Sequence, residues 1–448
     1  MTAWKTYVPS DKLPWDLSRV VHLHRRCVFG ASQQELQRDL GGDPQDAVSR
    51  ILEGASRSES VPSEFEQVSE LLRNAAVDSD NPLRLKAWWV YRMLYSPHPL
   101  QERMTLMWHC HFATSNLKVK NLAQMSQQNE VLRRRSLGSF ANLLHDVMHD
   151  PALLRWLDAP SNRQGQANEN LARELMELFT IGVGNYHEAD VSEAARILTG
   201  WTVRRGKATL LSSNHDAGEK SVLGESGNFG LKDLLAILTK HTATSNRIAW
   251  RICSEFFGEN LPGEAAINEL AAGLRERDLD VSWACETVIR SERFFETENI
   301  GTRVCDPATF LIAPLRAMEC WRWSPSTLIL ASWLARFGQD LFYPPNVGGW
   351  TGGRSWLATR TLLARANYVQ AIALGQLTNP PEPFELPSVF EPDSKSHSSG
   401  NAALASILLG ATNDKAFEQD SSDDANTEQG MSLQALANVL SSPRAHLH

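Results

Sequence analysis

No run of about 18 apolar residues occurs anywhere in this sequence, so no membrane-spanning helix is expected. Its six cysteines (Cys27, Cys110, Cys253, Cys285, Cys305, Cys320) form no Cys-x-x-Cys pair. That removes a zinc knuckle or a dithiol redox motif, and leaves most of them as small buried hydrophobes. Gly-x-Ser-x-Gly, Gly-x-Gly-x-x-Gly, Walker A and His-Glu-x-x-His patterns are also missing in any suitable context, so nucleotide-cradling and zinc-protease chemistries lose their usual signatures. The opening Met1-Thr2-Ala3-Trp4-Lys5 shows no charged and then apolar leader. The default expectation is therefore a cytoplasmic protein, or an exported one if the N-terminus has been trimmed.

What is present is an ordinary globular composition, with 42% apolar and 21% charged residues in 448. Tryptophan is abundant at 14 residues; the type serves both core filling and ligand stacking. The net charge of −8 is concentrated in residues 380–448, where ten acids face Lys395, Lys415 and Arg444 and so contribute −7. The nearly neutral remainder gives no electrostatic footprint for nucleic acid. The run Arg133-Arg134-Arg135 reads as the solvated face of a helix.

Helical periodicity dominates from Trp15 onward, and long strands are absent, which predicts an all-α fold of well over ten helices. Helices are expected over 32–40, 44–55, 63–76, 82–95, 99–112, 141–150 and 151–157, with further helical blocks over 231–295 and 307–342. The period stops near 202–225, the one credible β-hairpin or irregular insertion. Residues 343–353, with Pro344, Pro345, Gly348, Gly349, Gly352 and Gly353, cannot be helical. The expected organisation is a helical domain over 1–378, a Pro-rich and acidic, largely disordered linker over 379–430, and a C-terminal helix over 431–448 docking back on the body.

Five blocks resemble a known bacterial family, the domain of unknown function 1800. They are residues 104–115, containing Trp108-His109-Cys110-His111-Phe112; residues 168–184, containing Asn168-Glu169-Asn170 and Glu174 to Glu177; residues 190–201; His215 to Lys220 with Leu223-Gly224; and residues 344–356. They stand in the family's order between about residue 15 and about residue 370, and Ser441-Ser442-Pro443 is similar to the family's usual ending. The resemblance implies a bacterial protein, often from a polysaccharide-rich setting, with a sulfatase-like neighbour as a possible partner, but no reaction. Many relatives carry histidine where this chain has Phe179, and many carry export signals.

Placed on an α-helix, Leu171, Leu175 and Leu178 form an apolar seam, while Asn170, Glu174 and Glu177 fall together on its flank. Two carboxylates three residues apart suit acid/base work or metal ligation; the structural alternative is pairing with Arg173 or a neighbouring helix. Asn168 and Glu169 are accounted for as a cap and a first-turn acid. Asp190 opens an Asp-x-x-Glu capping box, with catalysis as the alternative. His109 and His111, two apart, cannot share a metal on one helix, and His111 points inward. His215, in the irregular segment, could reach Glu174 or Glu177. His241 could complement a helix C-terminus, and Ser115 ends a helix without an attendant base.

These readings converge on a hydrolase for a carbohydrate substrate, with Glu174, Glu177, Asp190 and His215 as catalytic groups and Asn170, Trp201, Trp350 and Lys220 as substrate contacts. No cofactor is required by it. One alternative is a metal-dependent enzyme in which His111, Glu174, Glu177 and His215 hold a divalent ion. Another is a non-catalytic helical scaffold, in which Glu174 and Glu177 would be paired with basic side chains.

Overall fold

Three helix starts in this chain are written by an acid or amide followed by proline. Asn81 accepts from the amides of Leu83 and Arg84 at 3.0 and 3.3 Å and launches the helix Pro82–Tyr95. Asp150 does the same for Pro151–Trp156 through Leu153 N at 2.9 Å, and Asp306 for Pro307–Ala317 through Thr309 N at 3.0 Å. In each case the side chain satisfies an orphan amide, and proline occupies the first helical position, where its missing N–H costs nothing.

The computed structural model describes residues 2–56, 63–319, 323–382, 400–411 and 428–448, and among them places twenty-one α-helices. The expected all-α architecture holds, and the early helices fall close to their predicted bounds: Gln33–Leu40, Pro44–Ser56, Ser63–Asp78, Pro82–Tyr95 and Pro99–His111. The insertion is two small antiparallel pairs. Trp201–Arg204 pairs with Lys207–Leu210, Trp201 opposite Leu210, and Lys220–Val222 pairs with Glu225–Gly227. No helix among the described residues is long and apolar enough to cross a membrane.

The helix Pro99–His111 runs through the interior. It gives Met104, Met107 and Trp108 to one apolar cluster and Leu106 to the other, so all its sides are covered. Its two charged residues are consequently buried and must be paired. Glu102 accepts from Arg133 Nε at 2.6 Å, Arg92 Nε at 2.8 Å and Trp89 Nε1 at 3.2 Å. Burial pushes its carboxyl up, but Arg133 and Arg92 outweigh that and hold it down at about 2. Arg103 lies 2.7 Å from Glu255 and 2.9 Å from Asp306. The three-arginine run is therefore divided. Arg133 is buried on Glu102 rather than solvated, whereas Arg134 and Arg135 remain outward.

Within 379–430, where a linker was expected, Gly400–Leu409 forms a helix, with Leu404, Ala405 and Leu408 buried against the body. Its apolar run Ala402 to Leu409 is the reason, outweighed in the composition reading by the acids and prolines around it. The acidic stretches at 383–399 and 412–427 lie outside the described residues. The last helix, Glu428–Ser441, buries Leu436, Val439 and Leu440 in the same cluster, and Leu447 bridges to Val304.

Candidate functional site

The block that looked like one α-helix from 168 to 182 is two kinds of helix. Asn170–Glu174 is α-helical, and Leu175–Phe179 continues as a π-turn with its bonds one residue longer. Leu171, Met176 and Ile181, five apart, are all buried, as the wider turn requires. The turn's end is secured by one local and two tertiary donors. Thr180 Oγ1 donates to Leu175 O at 2.6 Å, Arg247 Nε to Leu178 O at 2.7 Å, and His111 Nε2 to Phe179 O at 3.1 Å. An α-wheel therefore misplaces everything beyond Glu174. Such turns occur frequently at functional sites.

Glu174 and Glu177 flank this turn. Glu174 is half-buried, and no hydrogen-bond or ion-pair partner reaches it among the described residues. Burial, then the charge of Glu177, raise its carboxyl pKa against the opposing pull of Arg173. Arg173 is occupied elsewhere, with Glu169 at 3.0 Å and Glu188 at 2.7 Å. Glu177 accepts from Tyr186 Oη at 3.0 Å. Arg247 sits close enough to feel Glu177, although burial and Arg251 lower its own pKa. Arg251 is anchored on Met107 O at 3.2 Å. On their helix, Thr242–Phe257, the spacing places Trp250, 43% exposed, on the same side as Arg247.

The other expected site residues are engaged elsewhere. Asp190 is not the N-cap but sits in the first turn of Glu188–Ile197, where Oδ2 accepts from His187 N at 2.8 Å and Oδ1 from Leu223 N at 2.7 Å. His215 Nδ1 donates to Thr199 O at 3.0 Å. Lys220 is buried, its ammonium on the carbonyls of Asp216 and Phe229. Asn170 Nδ2 donates to Asp158 Oδ2 at 3.2 Å. Trp201 meets the edge of His149, whereas Trp350 is buried beside His109 and belongs to a different apolar cluster, so they form no common wall.

His111 is neutral, since burial first and then Arg251 and Arg247 hold its pKa well below 6.5. Among the described residues no three His, Cys, Asp or Glu side chains are grouped to hold a metal ion, so His111, Glu174, Glu177 and His215 do not converge. His241 stands at the end of the helix Leu231–Lys240, as expected, and also caps the next start by accepting from Ala243 N at 3.2 Å. A cavity of about 260 Å³ lies elsewhere, lined by Ile329, Ser332, Trp333, Arg336, Ala371 and Gln376.

Sequence reasoning missed Tyr186, Arg247 and Trp250. The available signals were the tyrosine just past Gly184 and the Arg-x-x-Trp-Arg spacing on an otherwise unremarked helix.

Three of the five recognised blocks meet at the end of the central helix. His111 bonds Phe179 O, and Cys110 Sγ lies 3.6 Å from Trp350 O, so the π-turn and the 344–356 loop bracket one helix terminus. This defines a class: an interwoven helical protein whose central helix ends between a π-turn and a glycine-rich loop. The chain belongs to the protein family of unknown function DUF1800, whose profile matches residues 22–447. None of the curated proteins and none of the solved structures matches it.

Proposed function

We propose that this protein is a hydrolase acting on a carbohydrate through Glu174 and Glu177. The observation that carries the reading is that, among the described residues, neither carboxyl is paired with a basic side chain as a scaffold would have it. Glu174 is half-buried and meets no hydrogen-bond or ion-pair partner among the described residues, and Glu177 is oriented by Tyr186.

Glu174, held toward its protonated form, gives its proton to the leaving glycosidic oxygen as the C–O bond breaks. Glu177, oriented by Tyr186, takes a proton from the attacking water as the new C–O bond forms. Arg247 supplies a cation within electrostatic reach of Glu177, and Trp250 offers an exposed apolar face of the kind sugars stack on. Asp190 and His215 have no part in this scheme: both oxygens of Asp190 hold backbone amides, and His215 Nδ1 is turned to Thr199 O.

The test is release of reducing ends from a panel of α- and β-linked polysaccharides. Glu174→Gln and Glu177→Gln should each lower the rate by roughly 100-fold or more, the usual scale for a general acid or base, with unchanged melting. Full activity in both variants, or no release from any substrate by the unmodified chain, overturns the proposal.

A further inference from the structure

We propose a second site, sharing no residue with the Glu174 and Glu177 pair: His145 and His149 form a surface chelate for a late first-row divalent metal ion such as Zn2+. The two lie four apart at the end of the helix Phe140–Met148, on one face, with ring centroids 4.4 Å apart.

What distinguishes them from two stacked surface histidines is the use of their nitrogens. His149 Nδ1–H donates to His145 O at 2.8 Å, and His145 Nδ1–H donates to Asp146 Oδ1 at 3.2 Å. Both rings are thereby set in the tautomer that leaves the lone pair on Nε2, and neither Nε2 has a hydrogen-bond partner among the described residues. A carboxylate or backbone carbonyl behind each imidazole is the arrangement that orients metal-bound histidines and raises their basicity.

Asp146 is itself fixed. Arg135 Nε reaches its Oδ2 at 2.7 Å and Arg134 lies 3.6 Å away. Burial pushes its carboxyl up, but the hydrogen bonds from Arg135 and His145 prevail and keep it below the ordinary range, so it remains an acceptor. His145 is 55% exposed, which leaves an approach from solvent. The edge of His149 meets Trp201 at 4.9 Å, so an ion here borders the first strand of the insertion.

Two imidazoles favour zinc, nickel or copper over magnesium or calcium, and two protein ligands leave the remaining positions to water or an outside ligand. Asp146 is a positioning residue, acting through His145.

The experiment is calorimetric titration of the full, untagged, chelator-stripped chain with ZnCl2, with Ni2+ quenching of tryptophan fluorescence as a second readout. One ion per chain is expected. His145→Ala and His149→Ala should each abolish binding, and Asp146→Asn should weaken it roughly 10-fold, the scale for losing such a supporting group. Trp201→Phe should remove most of the Ni2+ quenching while leaving the calorimetric affinity in place. No binding by the unmodified chain, or undiminished binding by either alanine variant, overturns the proposal. These surface substitutions leave Glu174 and Glu177 untouched, so loss of metal with retained hydrolysis separates the two sites.

Discussion

The ring of His111 and the carbonyl of Phe179 meet at 3.1 Å, and this bond ties the last residue of the buried central helix to the last residue of the π-turn. Burial in an aromatic setting of Trp108, Phe112, Phe140 and Phe179, followed by the charges of Arg251 and Arg247, keeps the imidazole unprotonated although the bond to the Phe179 carbonyl pulls the other way. His109, on the other side, is packed by Trp89, Phe342 and Trp350, and burial lowers its pKa to about 3.

Both histidines therefore bind a proton more readily in the unfolded chain, whose value is near 6.5, than in the folded one. Their contribution is fully present above about pH 6.5 and is lost as the pH falls through that value toward the folded pKa. The contribution of these two histidines to the denaturant midpoint should be flat from pH 8 to 7 and fall between pH 6 and 5. Each such histidine adds a slope of about 1.4 kcal/mol per pH unit in that window. His109→Phe should make the slope shallower, and an unchanged slope would show that His109 does not titrate this way.

Gly349 approaches the central helix so closely that an added Cβ would lie 2.4 Å from Cys110 O, and its φ of +78° is already unfavourable for other residues. Gly165 has nearly the same φ, +76°, but open space where a Cβ would go. Gly165→Ala should cost only the left-handed backbone term, about 1 to 2 kcal/mol. Gly349→Ala should cost clearly more, because the loop carrying Trp350 has to shift. Equal losses in thermal or urea unfolding would mean that the close approach is not felt.

Most of the helical architecture was legible because its boundaries are local. Asn81-Pro82, Asp150-Pro151 and Asp306-Pro307 write their own caps, and the alternation of apolar positions sets the faces. The site was legible only in part. Glu174 and Glu177 were visible as neighbours in sequence, but the change from α to π at Leu175 depends on donors from His111 and Arg247, 64 and 72 positions away from residue 175, which no local pattern encodes. Asp190 and Lys220 looked chemically available for the same reason. Their partners, Leu223 N and Phe229 O, are supplied by how the insertion folds.

Glu102 is the most demanding charge in the core, fully buried with Arg92 and Arg133 as its counterions. Removing it leaves Arg92 with Glu66 and Arg133 with Glu130, both carboxylates nearer the surface, but takes away the one anion buried between them, and breaking a buried pair costs about 3 to 5 kcal/mol. Glu102→Ala should lower stability by that order, whereas Glu70→Ala, at an exposed pair with Arg73, should change it by less than about 1 kcal/mol. Comparable small losses at both positions would show that water or rearrangement compensates the buried arginines.

Asp190 provides the sharpest separation of structural from chemical roles among the expected carboxylates. One oxygen holds the first turn of Glu188–Ile197 through His187 N, and the other holds Leu223 N in the turn of the second hairpin, while Glu193 holds Ser221 N at 3.0 Å on the same hairpin. Asp190→Ala removes a cap and strands a loop amide, together worth about 1 to 3 kcal/mol. Asp190→Asn retains one carbonyl acceptor and should lose less. Hydrogen exchange at Leu223 should accelerate in the alanine variant, while amides of the central helix, such as Met104, keep their protection. If Asp190 acts only in this way, hydrolysis by the asparagine variant should follow its stability, unlike Glu174→Gln, which should lose rate without losing stability. An Asp190→Asn protein that is as stable as the parent but 100-fold slower, a loss on the scale of a missing general acid or base, would return this carboxylate to the catalytic set.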